Sequence, residues 1–409
     1  MSADTANNFQ QAPHPMLPLP SLEEGARQSF VKSLKSYVQR SILPGLEPTF
    51  RNVASKRFEK ATKRPPADRH DIRKAMLDEP YFQSYAGLNR ISQELLWFSV
   101  ADSIERQYDT LAANAKRLKG ASGSCATVSA FTPPTYVTAV DIHCMPGGYN
   151  QSIGDDFEFA AGALYDRGVY LYAMGYAGPN NDDKGRSVAL YMKRHMPEFM
   201  PKRILDMGCS VGHATLPYKE FFPDADVIGI DLTAPLINYA HTRAAGMGVS
   251  VSFAQMNAER TTFPDNSFDL VVSHILLHET SGKALPAILR ECHRVLKSGG
   301  YMIHADLPPF DKMDEFKKFI LDNETYYNNE PFWGAMRDLD LVALSAAAGF
   351  PKDAIKLDTA PMAIREFADR AKGYDAATVR TLAERSFKAG EYAPGAGWEV
   401  LIARKEMAP

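Results

Sequence analysis

From about residue 200 onward, five short apolar runs, RILDMG, DVIGID, VSVSF, FDLVVS and GYMIHAD, alternate with helix-spaced segments of ten to fifteen residues. That rhythm constrains the fold more than any other feature. Runs too short for helices, separated by segments that read as helices, are the signature of βαβ units joined in a mostly parallel sheet. Further on, DAIKLDT and WEVLIARKE read as two more strands, with the helical segment AIREFADRAKGYDAATVRTLAERS between them. The expected architecture for residues 200–409 is therefore α/β, a doubly wound, mostly parallel seven-stranded sheet, with lid insertions at about 311–338 and 361–390.

The chain before residue 200 has a different texture. Residues 1–20, rich in Pro, Ala, Gln and Asn, show no periodicity and are expected to form a disordered or loosely attached arm. From Leu22 to about Leu118 apolar residues return every three or four positions, the helical period. The stretch CATVSAFTPPTYVTAVDIHCMPGGYN is rich in Val, Thr and aromatics and broken by Pro133, Pro134 and Gly147-Gly148, so it reads as short strands or extended loops. Helical spacing resumes in DDFEFAAGALYDRGVYLYAMGYAG and GRSVALYMKRHM. Residues 21–199 are thus expected to be a mainly helical cap.

Composition excludes little else. A net charge of -3 over 409 residues does not suggest a chain built to follow a polyanion or an acidic membrane. The four cysteines, Cys125, Cys144, Cys209 and Cys292, form no CxxC pair, which argues against a disulfide framework or a structural zinc site. No leader pattern and no membrane-length apolar run is visible, and a soluble cytoplasmic protein is expected.

The first strand of the sheet leads into ILDMGCSVGHAT. Glycines between a strand and a helix let backbone approach a ligand, and the helix N-terminus offers free N–H groups. The dinucleotide pattern GxGxxG is met only at its first position. What the stretch does match is an acid, Asp206, followed by Gly208, Ser210 and Gly212 at alternate positions. The next strand, VIGID, ends in Asp231, where a carboxylate can accept both hydroxyls of a ribose.

Here the chain resembles the class I S-adenosylmethionine-dependent methyltransferases. The resemblance continues through QMNAERTTFPDNSFDLVVSHILLHE and ECHRVLKSGGYMIHAD, and covers residues 200–310. It implies a Rossmann-like fold, S-adenosyl-L-methionine as cofactor, and methyl transfer to a small molecule, with secondary metabolism as a plausible setting. It also implies that Asp206 helps hold the cofactor's amino acid end and that Gly208, Cys209, Ser210 and Gly212 line its methionine and ribose. Asp231 would clamp the ribose, Leu232 would lie against adenine, Asn257 and Ala258 would meet its edge, and Ser273 would complete the site. Ser210 stands where a glycine is usual, and Asn257 where an acid is commoner.

For catalysis, His278 and His274 follow the fourth strand, with Glu279 beside them and His304 and Asp306 on the fifth. Either His278 or His274 could serve as a base or simply form a pocket wall. Aromatics in DNETYYNNEPFWGAMRD, namely Tyr326, Tyr327, Phe332 and Trp333, could close over a substrate or pack a helix pair. In DIHCMPGGYNQ, Asp141, His143 and Cys144 come with no second ligand pair at suitable spacing, so no metal is expected. That stretch is either a structural turn or a loop that carries Tyr149 over the active site. Two other functions remain open: a non-methylating use of S-adenosylmethionine that releases methylthioadenosine, and modification of nucleic acid or protein. For the latter, Arg51 to Lys74 carries nine Lys or Arg against three acids. A small-molecule partner, with neither nucleic acid nor membrane, is the leading expectation.

Overall fold

A computed structural model of the chain describes residues 10–150, 158–175, 177–311, 313–364 and 397–407. Its strands are β1 (Cys125–Ala126), β2 (Arg203–Met207), β3 (Asp226–Asp231), β4 (Ser252–Gln255), β5 (Phe268–His274), β6 (Leu296–Asp306), β7 (Ile355–Pro361) and β8 (Gly397–Arg404). They form one sheet in the order β1-β4-β3-β2-β5-β6-β8-β7. Every neighbouring pair is parallel except those of β8, which runs antiparallel to β6 and to β7. The fold is the expected mostly parallel Rossmann-like sheet with a helical N-terminal region.

The sheet has eight strands among the described residues, where seven are expected. The added strand is β1, whose Cys125 pairs with Phe253 of β4. Two residues are too few to show a period in the sequence. Gly123 permits the approach, because a Cβ there would lie 2.1 Å from the carbonyl oxygen of Val251.

Why the strands read as unbroken apolar runs is visible in their neighbours. Ile204, Leu270, Val272 and Ile303 pack into a core on one face, while Leu205, Val271, Met302 and Leu401 pack on the other. A sheet covered on both sides cannot alternate apolar and polar residues.

The N-terminal half wraps the sheet as helices, the longest being Pro80–Leu118 at 39 residues. The helix Leu22–Tyr37 begins with a capping box in which Ser21 Oγ accepts from Glu24 N–H at 3.3 Å and Glu24 Oε2 accepts from Ser21 N–H at 2.8 Å. Helix Ala160–Tyr172 lies between this layer and the core, and its glycines set the spacing. A Cβ at Gly168 would lie 2.1 Å from the ring of Trp97, and one at Gly162 would lie 2.3 Å from Cβ of Tyr239. The lid expected at about 311–338 packs Phe319 and Ile320 of helix Glu315–Tyr327 against Val38, Phe82 and Tyr85 of the N-terminal helices. The larger part of the other expected lid, residues 365–390, lies outside the described residues, as do residues 1–9 of the expected arm. No described helix is long and apolar enough to cross a membrane.

Residues 10–20 correct the expectation of a loose arm. Met16 is fully buried, Ala12 N–H donates to Pro179 O at 2.8 Å, and Asn114 Nδ2 donates to Pro15 O at 2.8 Å. The segment is an irregular strap held by hydrogen bonds and by the buried side chains of Gln11, Met16 and Leu17, a contact pattern that leaves no periodic trace in sequence.

The strap ends on Asp166, a fully buried carboxylate in helix Ala160–Tyr172. Its oxygens lie 2.8 Å from Gln11 Nε2, 3.0 Å from His14 Nε2 and 2.8 Å from His213 Nε2. They also meet Tyr239 Oη at 2.9 Å and Arg243 Nε at 3.1 Å. Burial pushes this carboxyl upward, but Arg243, His213 and His14 outweigh it and hold the group well below its ordinary value. Replacing Asp166 with Ala leaves Arg243 buried without its partner, and should cost about 3–5 kcal/mol in denaturant unfolding at neutral pH. Because the folded value lies below 3.8, the contribution is present above that pH and lost below it, so the gap between wild type and variant should close in acid.

Candidate functional site

Register brings the chemistry to one edge. Asp206 of β2 pairs with Gly229, Asp231 of β3 with Gln255, and His274 of β5 with Ala305. The carboxyl ends of these strands therefore share one side, the side where open parallel sheets hold ligands. A cleft of about 810 Å³ opens there, partly to solvent.

One half of the cleft is built from the turn after β2. Gly208 has φ +70, and a Cβ there would lie 2.6 Å from Leu276, so a side chain would fill the space the turn leaves open. Ser210 adopts φ +49, which shows how the non-glycine position is accommodated: it sits in the left-handed region itself. Its N–H donates to Asp231 Oδ2 at 2.9 Å, tying the turn to the tip of β3. Burial raises the Asp231 carboxyl to about 6, against the backbone N–H groups of Ser210, Thr233 and Leu232 that lower it. Leu232, Asn257 and Ala258 continue the wall. Asn257 Oδ1 already accepts from Glu259 N–H at 2.8 Å, so this amide shapes its own turn as well as facing the cleft.

The residues expected around the cofactor divide in space. Gly208, Ser210, Asp231, Leu232, Asn257 and Ala258 line the cleft, while Asp206, Cys209, Gly212 and Ser273 are not among its lining residues. Ser273 is fully buried, with its hydroxyl 2.6 Å from His304 Nδ1 inside the sheet. Cys209 would be only 2.9 Å from a Cβ at Gly229, so its thiol packs the turn onto β3. Asp206 Oδ2 accepts from Thr215 at 2.6 Å, and its buried Oδ1 makes no hydrogen bond.

The other half carries Tyr149, Tyr165, His274, Ile275 and Glu279. Ile275 has φ +60, costly for a β-branched residue, and its N–H donates to Ala305 O at 2.8 Å. His274 is held by Tyr218 Oη at Nε2, 3.0 Å away, with Asp206 Oδ1 3.4 Å from Nδ1. Tyr149 donates to Glu279 Oε1 at 3.1 Å and packs edge-on to Tyr165, ring centres 5.6 Å apart.

Behind Glu279 the structure assembles groups from distant parts of the chain. Asp141 to Asn150 of DIHCMPGGYNQ is not extended: Ile142–Cys144 is a helical turn with His143 at φ +57 and Cys144 at φ +56. Trp97 Nε1 and Gln93 Nε2 donate to the carbonyl of His143 at 2.7 and 3.1 Å, fixing that backbone. The imidazole sits between two carboxylates, Nε2 at 3.1 Å from Glu279 Oε1 and Nδ1 at 2.9 Å from Glu330 Oε1. Burial lowers its pKa, but Glu330 and Glu279 outweigh burial and hold it well above the ordinary value. His278 is fully buried, and its Nδ1 is 2.6 Å from Asp306 Oδ1. It does not line the cleft, which departs from both expectations for it, a base facing substrate and a wall of the pocket. Its loop turns it inward because Asp306 accepts both this imidazole and the Leu277 N–H, the latter at 2.8 Å.

Trp333 packs edge-on to His278 at 5.0 Å, and Phe332 edge-on to Tyr136 at 5.8 Å, so these two aromatics are walls of the assembly. Tyr326 is covered by the guanidinium of Arg73 at 3.3 Å. In the basic run, Arg57 pairs with Glu79 and Arg64 with Asp71, while Arg69 reaches Asp322 and Asp338. Part of that run is thereby spent on holding this chain together. Tyr165 and Glu330 were not legible as site residues: each stands alone in sequence, far from its partners.

Residues 204–300 match a family described as a methyltransferase domain. Demethylmenaquinone methyltransferase of Thermus thermophilus is 35% identical over 112 residues, 27% of this chain and 50% of that protein. Phosphoethanolamine N-methyltransferase 3 of Arabidopsis thaliana is 34% identical over 105 residues, 26% of this chain and 21% of that one. The matched part thus spans half or less of these relatives. Among solved structures, phosphoethanolamine N-methyltransferase 2 of Haemonchus contortus in complex with S-adenosyl-L-methionine aligns at a TM-score of 0.41 and 18% identity, covering 59% of this chain and 57% of that one.

The raised Asp231 carboxyl makes a sign-specific prediction. Its folded value of about 6 exceeds the ordinary 3.8, so ionisation opposes folding: the stabilising contribution exists below pH 3.8 and is lost as pH rises through 6. Unfolding in urea at pH 4 and pH 7 should show Asp231→Asn gaining about 2–3 kcal/mol relative to wild type across that interval. Parallel pH curves for the two proteins would refute the assignment.

Proposed function

With residues 204–300 forming a class I S-adenosylmethionine-dependent methyltransferase domain, we propose that the protein transfers the methyl group of S-adenosyl-L-methionine to a small-molecule acceptor. The observation that carries this reading is the cleft at the carboxyl ends of β2, β3 and β5, with a carboxylate at one end and a tyrosine–glutamate pair at the other.

The residues fit the cofactor. Asp231 offers oxygens for the ribose hydroxyls, the space beside Gly208 admits a ligand against backbone, and Leu232 and Ala258 provide apolar surface for a base. Asp206 Oδ1 is buried without a hydrogen bond, an acceptor suited to the cofactor's ammonium, and lies behind the residues that line the cleft. When bound, the cofactor supplies an electrophilic methyl group on a sulfonium.

The chain's own contribution is alignment and exclusion of water. Tyr149, Tyr165 and Ile275 enclose the acceptor end, and the Tyr149–Glu279 pair offers a polar contact for an acceptor hydroxyl, amine or carboxylate. His274 is tethered by Tyr218, which suits it to wall the pocket and orient these groups. The cap sets acceptor choice, since Tyr149 and Tyr165 both come from it. The mixed polar and aromatic surface, of modest volume, suits a metabolite better than a polymer.

Two measurements test the reading. Asp231→Ala should weaken S-adenosylmethionine binding by about 1–3 kcal/mol in calorimetry, the scale of lost hydrogen bonds to a charged group. Incubation with candidate acceptors should release S-adenosylhomocysteine. Unchanged affinity would remove Asp231 from the ribose site, and methylthioadenosine as the nucleoside product would replace methyl transfer with a non-methylating use of the cofactor.

A further inference from the structure

Two groups behind Glu279 are left with an unsatisfied atom. His278 Nε2 and Glu330 Oε2 are buried and make no hydrogen bond, although both side chains are fully enclosed. They point at each other across 3.6 Å, and His278 Nε2 is 3.8 Å from Glu279 Oε1. Those separations are too long for hydrogen bonds and too short for an intervening water. They are close to the spacing of two ligands on one ion, which is about 3.3–3.6 Å for tetrahedral bonds of 2.0–2.2 Å.

His143, Glu279 and Glu330 each offer a ligand atom within 4.8 Å of the others. Three carboxylates, those of Glu279, Glu330 and Asp306, are gathered around two imidazoles, with Glu330, Asp306 and His278 enclosed and Glu279 and His143 only slightly exposed. A bound ion would balance the negative charge that protonated imidazoles otherwise balance.

We propose that Glu279, Glu330, His143 and His278 hold a divalent first-row transition metal ion beside the cleft. Two imidazoles and two carboxylates suit zinc, iron(II) or manganese(II) better than magnesium or calcium, which prefer all-oxygen sets. The surroundings match what ligating histidines require. Asp306 takes Nδ1 of His278 at 2.6 Å and leaves Nε2 facing the glutamates, the carboxylate–histidine arrangement that orients a ligand and raises its basicity. His143 has a nitrogen towards each glutamate, so one can ligate while the other donates. Asn328 Nδ2 donates to Glu330 Oε1 at 2.7 Å and leaves Oε2 for the ion. The strained backbone of His143, fixed by Trp97 and Gln93, is the conformation that brings this ring to the glutamates. Glu279 is both a ligand and a wall of the cleft, so the ion would stand next to the acceptor's polar end.

The test reads metal directly and does not depend on turnover. Full-length protein, stripped with a chelator, is titrated anaerobically with Zn²⁺, Mn²⁺ and Fe²⁺ against a chromophoric competitor, and the isolated protein's metal content is measured by mass spectrometry. One equivalent per chain is expected, with a rise in melting temperature on adding the preferred ion. Asp306→Asn should weaken binding roughly 10- to 100-fold, and Glu330→Gln, nearly isosteric, should weaken it further. S-adenosylmethionine affinity reports folding of the variants. Absence of a stoichiometric site in wild type overturns the proposal, and so does full metal affinity in a folded Glu330→Gln protein. Either result would leave a cluster closed by protons alone.

Discussion

The carboxylate of Asp166 joins four parts of the chain at one buried point. The strap reaches it through Gln11 and His14, the cap supplies it from helix Ala160–Tyr172, the glycine turn contributes His213, and helix Ala234–Gly246 contributes Tyr239 and Arg243. A buried charge tolerates little displacement of its partners, because each lost contact leaves desolvation uncompensated. The cap is thereby fixed against the sheet next to the turn that shapes the cleft. Tyr165, adjacent to Asp166 in sequence, stacks towards His213 and faces the cleft as a direct result.

The same docking explains the composite character of the site. The sheet provides Asp231, His274, His278 and Glu279 at its carboxyl edge, but Tyr149 and His143 come from the loop before it and Glu330 from the segment after β6. Two of these, His143 and Glu330, are delivered by packing elsewhere. His143 is held by Trp97, which Gly168 admits, and Glu330 follows the helix Glu315–Tyr327, which is seated on the N-terminal helices through Phe319 and Ile320. Chemistry at Glu279 therefore depends on contacts made by apolar side chains far from it.

Much of the sheet was legible because its physics is local. Buried parallel strands must be apolar on both faces, and the turn after β2 must admit backbone in the left-handed region, so RILDMG and the Gly208–Gly212 stretch carry their own explanation. The strap at residues 10–20 and the strand β1 were not legible. One is held by scattered hydrogen bonds and the other by two residues, and neither mode imposes a period. His278 was visible as a titratable residue at the right edge of the sheet, but its direction was not, because Asp306 decides which way the ring faces.

By itself the sequence determined the order of strands and helices, the position of the ligand-binding edge and the acid at the tip of β3, since these follow from short-range periodicity and turn chemistry. Only the tertiary structure decided that His143, Glu279, His278 and Glu330 share one buried volume. Residues brought together by docking of separate layers have no spacing in common, and DIHCMPGGYNQ lacks a second pair of ligands only as long as it is read along the chain.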